Sequence, residues 1–294
     1  MTALIRRVAW LVAIGLVLAA APVQATAVEE RFDLEVVVRH PDHGEVRRTV
    51  PITVFRDPAR TRSPFLILNH GRATTPAANA ALGRVRYSEN ARHFVDRGFA
   101  VFVPTRIGYG IAGGPDLESS GPCGRRNFPP AYDAAAQTVR QVIAHVRTRA
   151  DVDPDRGLVV GQSFGGVTAI AIAATAPAGV RAVVNFAGGG GGRPATHPGR
   201  PCSPEAMEAL FADYGARARM PTLWLYVEND LYFGARLPRV WFDAFVAAGG
   251  RGRFVALPPH GEDGHGSFTR NPEAWRPAFE AFLAETGFAV ATRR

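Results

Sequence analysis

Residues Gly157-Leu158-Val159-Val160-Gly161-Gln162-Ser163-Phe164-Gly165-Gly166-Val167-Thr168-Ala169-Ile170-Ala171 decide the fold. The residues before Gly161 read as a short apolar strand, and those from Gly165 onward as an apolar helix. Between them lies Gly-x-Ser-x-Gly, a serine at a sharp strand-to-helix turn. The glycines two positions either side of Ser163 are needed because the turn brings strand and helix too close for side chains. The serine is held in a strained conformation that lifts its hydroxyl above the end of a sheet.

Working outward, the same alternation recurs. Two strand-like runs, Phe32–Val38 and Val46–Phe55, flank a turn containing Pro41, Asp42 and Gly44 and read as a hairpin. Short apolar strands follow at Phe65–Leu68, Ala100–Val103, Leu158–Val160, Ala182–Phe186, Thr222–Val227 and Arg253–Leu257. Helices are predicted over Glu89–Arg97, Tyr132–Thr148, Gly165–Ala176, Pro204–Arg217, Pro238–Ala248 and Pro272–Glu285. Ser203-Pro204 and Asn271-Pro272 are helix starts, a capping residue followed by proline in the first turn. The expected fold class is α/β: a mostly parallel central sheet with an N-terminal antiparallel hairpin and helices on both faces. Chemistry in such sheets gathers at the C-terminal ends of the strands.

Serine needs a base to become a nucleophile, and that base is usually a histidine oriented by a carboxylate. Asp230 follows a predicted strand, and His265 lies in the loop after the last one. Glu228 and Asp263 compete for the acid's role and His260 for the base's; the reading favours Asp230 and His265. The oxyanion formed by attack on a carbonyl needs two N–H donors. The backbone of Phe164, opening the helix after Ser163, is one. The loop after Leu66-Ile67-Leu68 supplies the other, assigned to the backbone N–H of Arg72. His70 is read as a structural histidine bonded to loop backbone.

Asn69-His70-Gly71, Arg106-Ile107-Gly108-Tyr109-Gly110, Gly161 to Gly166, Glu228-Asn229-Asp230 and Gly264-His265-Gly266 together resemble the α/β-hydrolase superfamily. The resemblance covers residues of about 30–288, and its flavour is that of dienelactone-hydrolase-like and prolyl-oligopeptidase-like esterases. The order serine, acid, histidine is the superfamily's order. Dienelactone hydrolases proper carry a cysteine nucleophile where this chain has Ser163, and the lipase HGGG motif is absent. The resemblance implies a serine hydrolase cleaving small-molecule carboxylic esters through an acyl-enzyme, with no metal or organic cofactor. Rival expectations are a peptidase or an acyltransferase using the same groups, and a non-catalytic binding protein retaining the fold. The short segment before Phe65 leaves no room for the propeller gate of prolyl oligopeptidases.

The pocket roof is expected from residues 106–130 and 187–202. Arg72, Arg106, Arg125, Arg126, Arg193 and Arg200 fall in these rim segments; they read either as a preference for substrates bearing a carboxylate or as ordinary solvated arginines of an arginine-rich chain, and Arg106, Arg193 and Tyr109 are candidate substrate contacts. The five glycines Gly188–Gly192 mean either that the backbone closely approaches something or that the loop moves. Cys123 and Cys202, the two cysteines of the chain, lie in Gly/Pro-rich loops leaving one edge of the sheet and are expected to form a disulfide.

Residues 1–25 read as a secretory signal: Arg6-Arg7, an apolar core from Val8 to Ala21, and small residues before a cleavage site after Ala25 or Ala27. An uncleaved membrane anchor is the alternative. The remaining residues, 26–294, are read as one domain that is periplasmic or secreted and off the membrane after cleavage. All basic residues are arginine, and the net charge is +8. No basic helix, zinc-finger spacing or aromatic stacking motif points to nucleic acid.

Overall fold

Phe32, Leu34, Val36 and Val38 share one face of the first strand, opposite Asp33, Glu35, Val37 and Arg39, so a half-covered hairpin forms where the sequence places one. The computed structural model describes residues 27–288; the stretch read as a secretory signal lies outside the described residues. Strands β1 (Val28–His40) and β2 (Gly44–Arg56) pair antiparallel in unbroken register from Val28↔Arg56 to His40↔Gly44. Six further strands follow: β3 (Ser63–Asn69), β4 (Ala100–Pro104), β5 (Val152–Gln162), β6 (Val180–Phe186), β7 (Thr222–Val227) and β8 (Gly252–Leu257). The eight form one sheet in the order β1-β2-β4-β3-β5-β6-β7-β8. Pairing from β4 through β8 is parallel, and only the two ladders involving β2 are antiparallel.

The middles of the central strands are continuous apolar runs because both faces are covered. Phe65 and Ile67 of β3 enter one core while Leu66 and Leu68 enter the other. In β7, Trp224 and Tyr226 face the first core and Leu223, Leu225 and Val227 the second. The first core is roofed by α3 (Phe128–Val146), α4 (Phe164–Thr175), α5 (Pro204–Arg217) and α6 (Arg236–Ala247). The second is closed by α2 (Ser88–Asp96) and α8 (Pro272–Glu285). Each large apolar side chain buried this way contributes about 1.5–3 kcal/mol. Helix α4 is apolar all round and buried along its length, as a helix in the middle of its layer must be.

Two short helices have no counterpart in the sequence reading: α1 (Pro76–Ala80), capped by Thr75, and α7 (Ser267–Arg270). Neither is long enough to show periodicity. Helix α3 begins at Phe128 rather than Tyr132, since Pro129 and Pro130 occupy its first turn, where a missing N–H costs nothing. Every parallel strand ends at the same edge of the sheet, and the candidate residues gather there.

Candidate active site

Ser163 sits between β5 and α4 with φ 57° and ψ −123°, outside the regions open to most L-residues. Such strain costs about 1–3 kcal/mol and persists only where surrounding packing enforces it. The flanking glycines show what enforces it here. A Cβ on Gly161 would lie 1.9 Å from the carbonyl oxygen of Gly165, and one on Gly165 would lie 2.3 Å from that of Asn69. These are backbone atoms with no freedom to retreat.

The structure brings Ser163, His265 and Asp230 together from three loops. Ser163 Oγ and His265 Nε2 are 2.9 Å apart, and His265 Nδ1 is 2.8 Å from Asp230 Oδ2. All three residues are buried. The other oxygen of Asp230, Oδ1, accepts from the backbone N–H groups of Tyr232 (2.7 Å) and Phe233 (3.1 Å). Of the competitors, Glu228 is exposed, and His260 contributes its backbone N–H to Asn229 Oδ1 at 2.9 Å. Asp263 has a different task. Its Oδ1 accepts from the N–H of Leu231 (3.0 Å) and of His265 (2.9 Å), fastening the acid's loop to the histidine's. Tyr232 stacks on the His265 ring with centroids 3.9 Å apart. The sequence reading missed both, since loop-to-loop contacts carry no periodic signal.

His70 has the structural role read from the sequence. Its Nδ1 donates to Gly71 O (2.7 Å), and its Nε2 accepts from the N–H of Arg106 (3.2 Å). Burial, reinforced by the charge of Arg106, holds its pKa well below the usual histidine value, so the ring is neutral. On the same loop the N–H of Gly71 is directed to Tyr87 Oη (3.4 Å), and Tyr87 in turn donates to Gln162 Oε1 (2.7 Å).

Two expected substrate contacts are corrected by the packing. Arg106 is fully buried, with Nε and Nη2 on the carboxylate of Glu118 (2.5 and 3.0 Å) and Nη1 on His70 O (2.9 Å). Tyr109 is fully buried too, donating to Glu118 and accepting from Arg72 Nη1 at 3.3 Å. These groups lie beneath the site and brace the His70–Arg72 loop. Arg72 itself is clamped bidentately by Asp116 at 2.6 and 2.5 Å. Burial alone would lower its pKa, but the bonds and charge of Asp116 outweigh that and raise it. Arg193 is half-buried and points Nη2 toward Arg200 O at 3.5 Å.

Ser163 opens onto two chambers. One, of about 400 Å³, is lined by Leu82, Val85, Tyr87, Gln162 and His265. The other, of about 270 Å³, is lined by Arg126, Glu118, Tyr132, Phe164 and the backbone of Gly189–Gly192. Arg72 and Tyr232 border both. The glycine run is a case of close approach: a Cβ on Gly189 would strike Phe233 at 2.6 Å, and one on Gly190 would strike Met207 and Phe128 at 2.7 Å. Cys123 and Cys202 are disulfide-bonded, with Cα atoms 5.2 Å apart. The bridge joins the two roof loops, and within the second of them the N–H of Cys202 donates to Gly191 O at 2.8 Å. Among the described residues no cluster of histidine, cysteine or carboxylate groups could hold a metal ion, and no helix is long and apolar enough to cross a membrane.

Residues 83–222 match the family model described as serine aminopeptidase, S33. No curated protein matches the chain in sequence. Among solved structures, a candidate dienelactone hydrolase of Klebsiella pneumoniae subsp. pneumoniae is 16% identical, with a TM-score of 0.55 over 88% of this chain and 99% of its own. The acetyl xylan esterase of Paenibacillus sp. R4 is 16% identical, with a TM-score of 0.57 over 87% of this chain and 89% of its own. The acylaminoacyl peptidase of Pyrococcus horikoshii is 11% identical, with a TM-score of 0.57 over 90% of this chain but only 43% of its own. At these identities the likeness is one of fold. Sheet order, serine turn and neighbours agree: the chain has the α/β-hydrolase fold, and its residues 83–222 are similar to the serine aminopeptidase, S33, family.

Proposed function

We propose that the protein is an exported serine hydrolase that cleaves small-molecule carboxylic esters through an acyl-enzyme. The observation that carries this reading is the unbroken hydrogen-bonded line from Ser163 Oγ through His265 to Asp230 Oδ2. Ser163 Oγ attacks the ester carbonyl while His265 Nε2 takes its proton. The proton passes to the leaving alcohol as the ester C–O bond breaks. Water, deprotonated by the same nitrogen, then releases the acid and restores the serine. Asp230 keeps the proton of the resting imidazole on Nδ1 and stabilises the imidazolium. The backbone N–H groups of Phe164 and Arg72 hold the oxyanion. In support, Phe164 opens α4, where N–H groups lack helical acceptors. The Gly71 N–H is already directed to Tyr87, which leaves the next one along the loop for substrate. This chemistry calls for no metal or organic cofactor.

The Cys123–Cys202 bridge and the signal-like first 25 residues support export to an oxidising compartment. Replacing Ser163 with Ala is expected to lower turnover of p-nitrophenyl acetate by about 10⁴-fold or more with an unchanged melting temperature. Undiminished turnover overturns the assignment. Running an ester beside the matching aminoacyl amide separates an esterase from a peptidase, and product analysis with added alcohol separates hydrolysis from acyl transfer.

A further inference from the structure

Charges around the smaller chamber are matched in pairs except at one residue. Arg72 is clamped by Asp116, and Arg106 by Glu118. Arg126 lines the same chamber, and among the described residues it has no carboxylate partner. Its Nη1 donates to Ser120 Oγ at 3.2 Å, while its Nε is buried without a hydrogen bond. Burial pulls its pKa down, and the like charges of Arg72 and Arg193 add to that. A partly desolvated guanidinium beside a cavity is stabilised by an anion entering that cavity, and a carboxylate fits its fork.

The two chambers also differ in which half of an ester each can hold. His265 lines the larger chamber and not the smaller one. The imidazole must hand its proton to the leaving oxygen, so the alcohol half lies on its side, against Leu82, Val85 and Tyr87. Phe164, whose N–H faces the oxyanion in the proposed reaction, lines the smaller chamber, so the acyl half lies there.

We propose that Arg126 binds a free carboxylate on the acyl half of the substrate, which makes the substrate class half-esters of short dicarboxylic acids with an uncharged, largely apolar alcohol; this rests on the ester-hydrolase reading above. Ser163 Oγ forms a bond to the ester carbonyl carbon, and the bond from that carbon to the alcohol oxygen breaks. The alcohol leaves with the proton from His265. Water then cleaves the acyl-enzyme, and the acid released is a dicarboxylate. The second carboxylate, paired with Arg126, takes no part in bond making. The chamber volume of about 270 Å³ suits a short diacid rather than a long acyl chain.

The test compares mono-p-nitrophenyl glutarate with p-nitrophenyl glutaramate, the same acyl chain ending in an uncharged amide, on the full-length protein. The charged ester is expected to be preferred about 10- to 100-fold in kcat/KM, the range of a hydrogen-bonded charge. The preference should collapse toward unity in Arg126→Gln, survive in part in Arg126→Lys, and persist in Arg125→Gln, which changes an exposed neighbour. A second measurement needs no turnover: calorimetric binding of monomethyl glutarate to Ser163→Ala, and its loss when Arg126→Gln is added. Equal kcat/KM for the two esters in the natural protein, or a preference unchanged in a folded Arg126→Gln, overturns the proposal while leaving the esterase reading intact. Binding that depends on Arg126 with no hydrolysis of either ester refutes the esterase reading and keeps the anion site. Absence of both preference and binding removes the site altogether.

Discussion

Asp230 divides its two oxygens between two tasks: Oδ2 faces His265 Nδ1, and Oδ1 is held by the N–H groups of residues 232 and 233. Asp230→Asn tests that division. The amide oxygen can still accept the two backbone bonds, so the loop keeps its shape. The amide nitrogen then faces Nδ1 as a donor and drives the proton to Nε2, which can no longer accept from Ser163. The expected result is a loss of about 10³- to 10⁴-fold in kcat, with KM and the melting temperature little changed. A loss below tenfold would assign the acid's role elsewhere. That Ser163, Asp230 and His265 meet was readable as an expectation because each follows a strand, and strands announce themselves by apolar runs. In the sequence Asp263 reads only as a competitor for the acid and Tyr232 does not stand out, while Arg126 is one of six rim arginines read together. Their importance lies in which loop meets which, a consequence of the sheet order rather than of spacing along the chain.

At the scale of elements, the roof loops are held from opposite ends. The loop before α3 carries Arg126 and Cys123; the loop before α5 carries Cys202, whose N–H bonds to Gly191 of the same loop. The bridge closes a loop of 79 residues of sequence separation. The chain-entropy model assigns about 4.5 kcal/mol to a closure of that length, as an upper value. The double variant Cys123→Ser with Cys202→Ser is expected to lower the denaturation midpoint accordingly, and to raise KM for an ester more than it lowers kcat, because it loosens a wall and leaves the serine turn alone. A fall in kcat at unchanged KM would contradict that arrangement. Element by element, the strands and long helices were readable from period and caps. The limits of that reading are physical: α1 and α7 span one turn or little more, and the start of α3 is set by two prolines that the first turn tolerates.

For the whole molecule, burial of titratable rings sets the pH range of stability at both ends. Tyr109, Tyr132, Tyr214 and Tyr226 are buried and Tyr87 is half-buried, and desolvation is the first cause raising each of their pKa values, Tyr87 to about 12. Below pH 10 these rings are neutral in both folded and unfolded chains. Above it the unfolded chain ionises them and the folded one does not, so stability falls by about 1.4 kcal/mol per pH unit for each ring. At the acid end the sign reverses. His93 is packed against Trp275 and near Glu280. Burial, with the charges of Arg97 and Arg276 adding to it, lowers its pKa from 6.5 to about 3, and His70 is lowered in the same direction. The unfolded chain takes up these protons as pH drops through 6.5 while the folded chain resists, so stability present above 6.5 is lost progressively toward pH 3. The melting temperature should therefore form a plateau between about pH 7 and pH 9.5 and decline on both sides. His93→Gln should lower the plateau and flatten its acid limb by about 1.4 kcal/mol per pH unit at most. An acid limb of unchanged slope in that variant would show that His93 is not among the groups that set it.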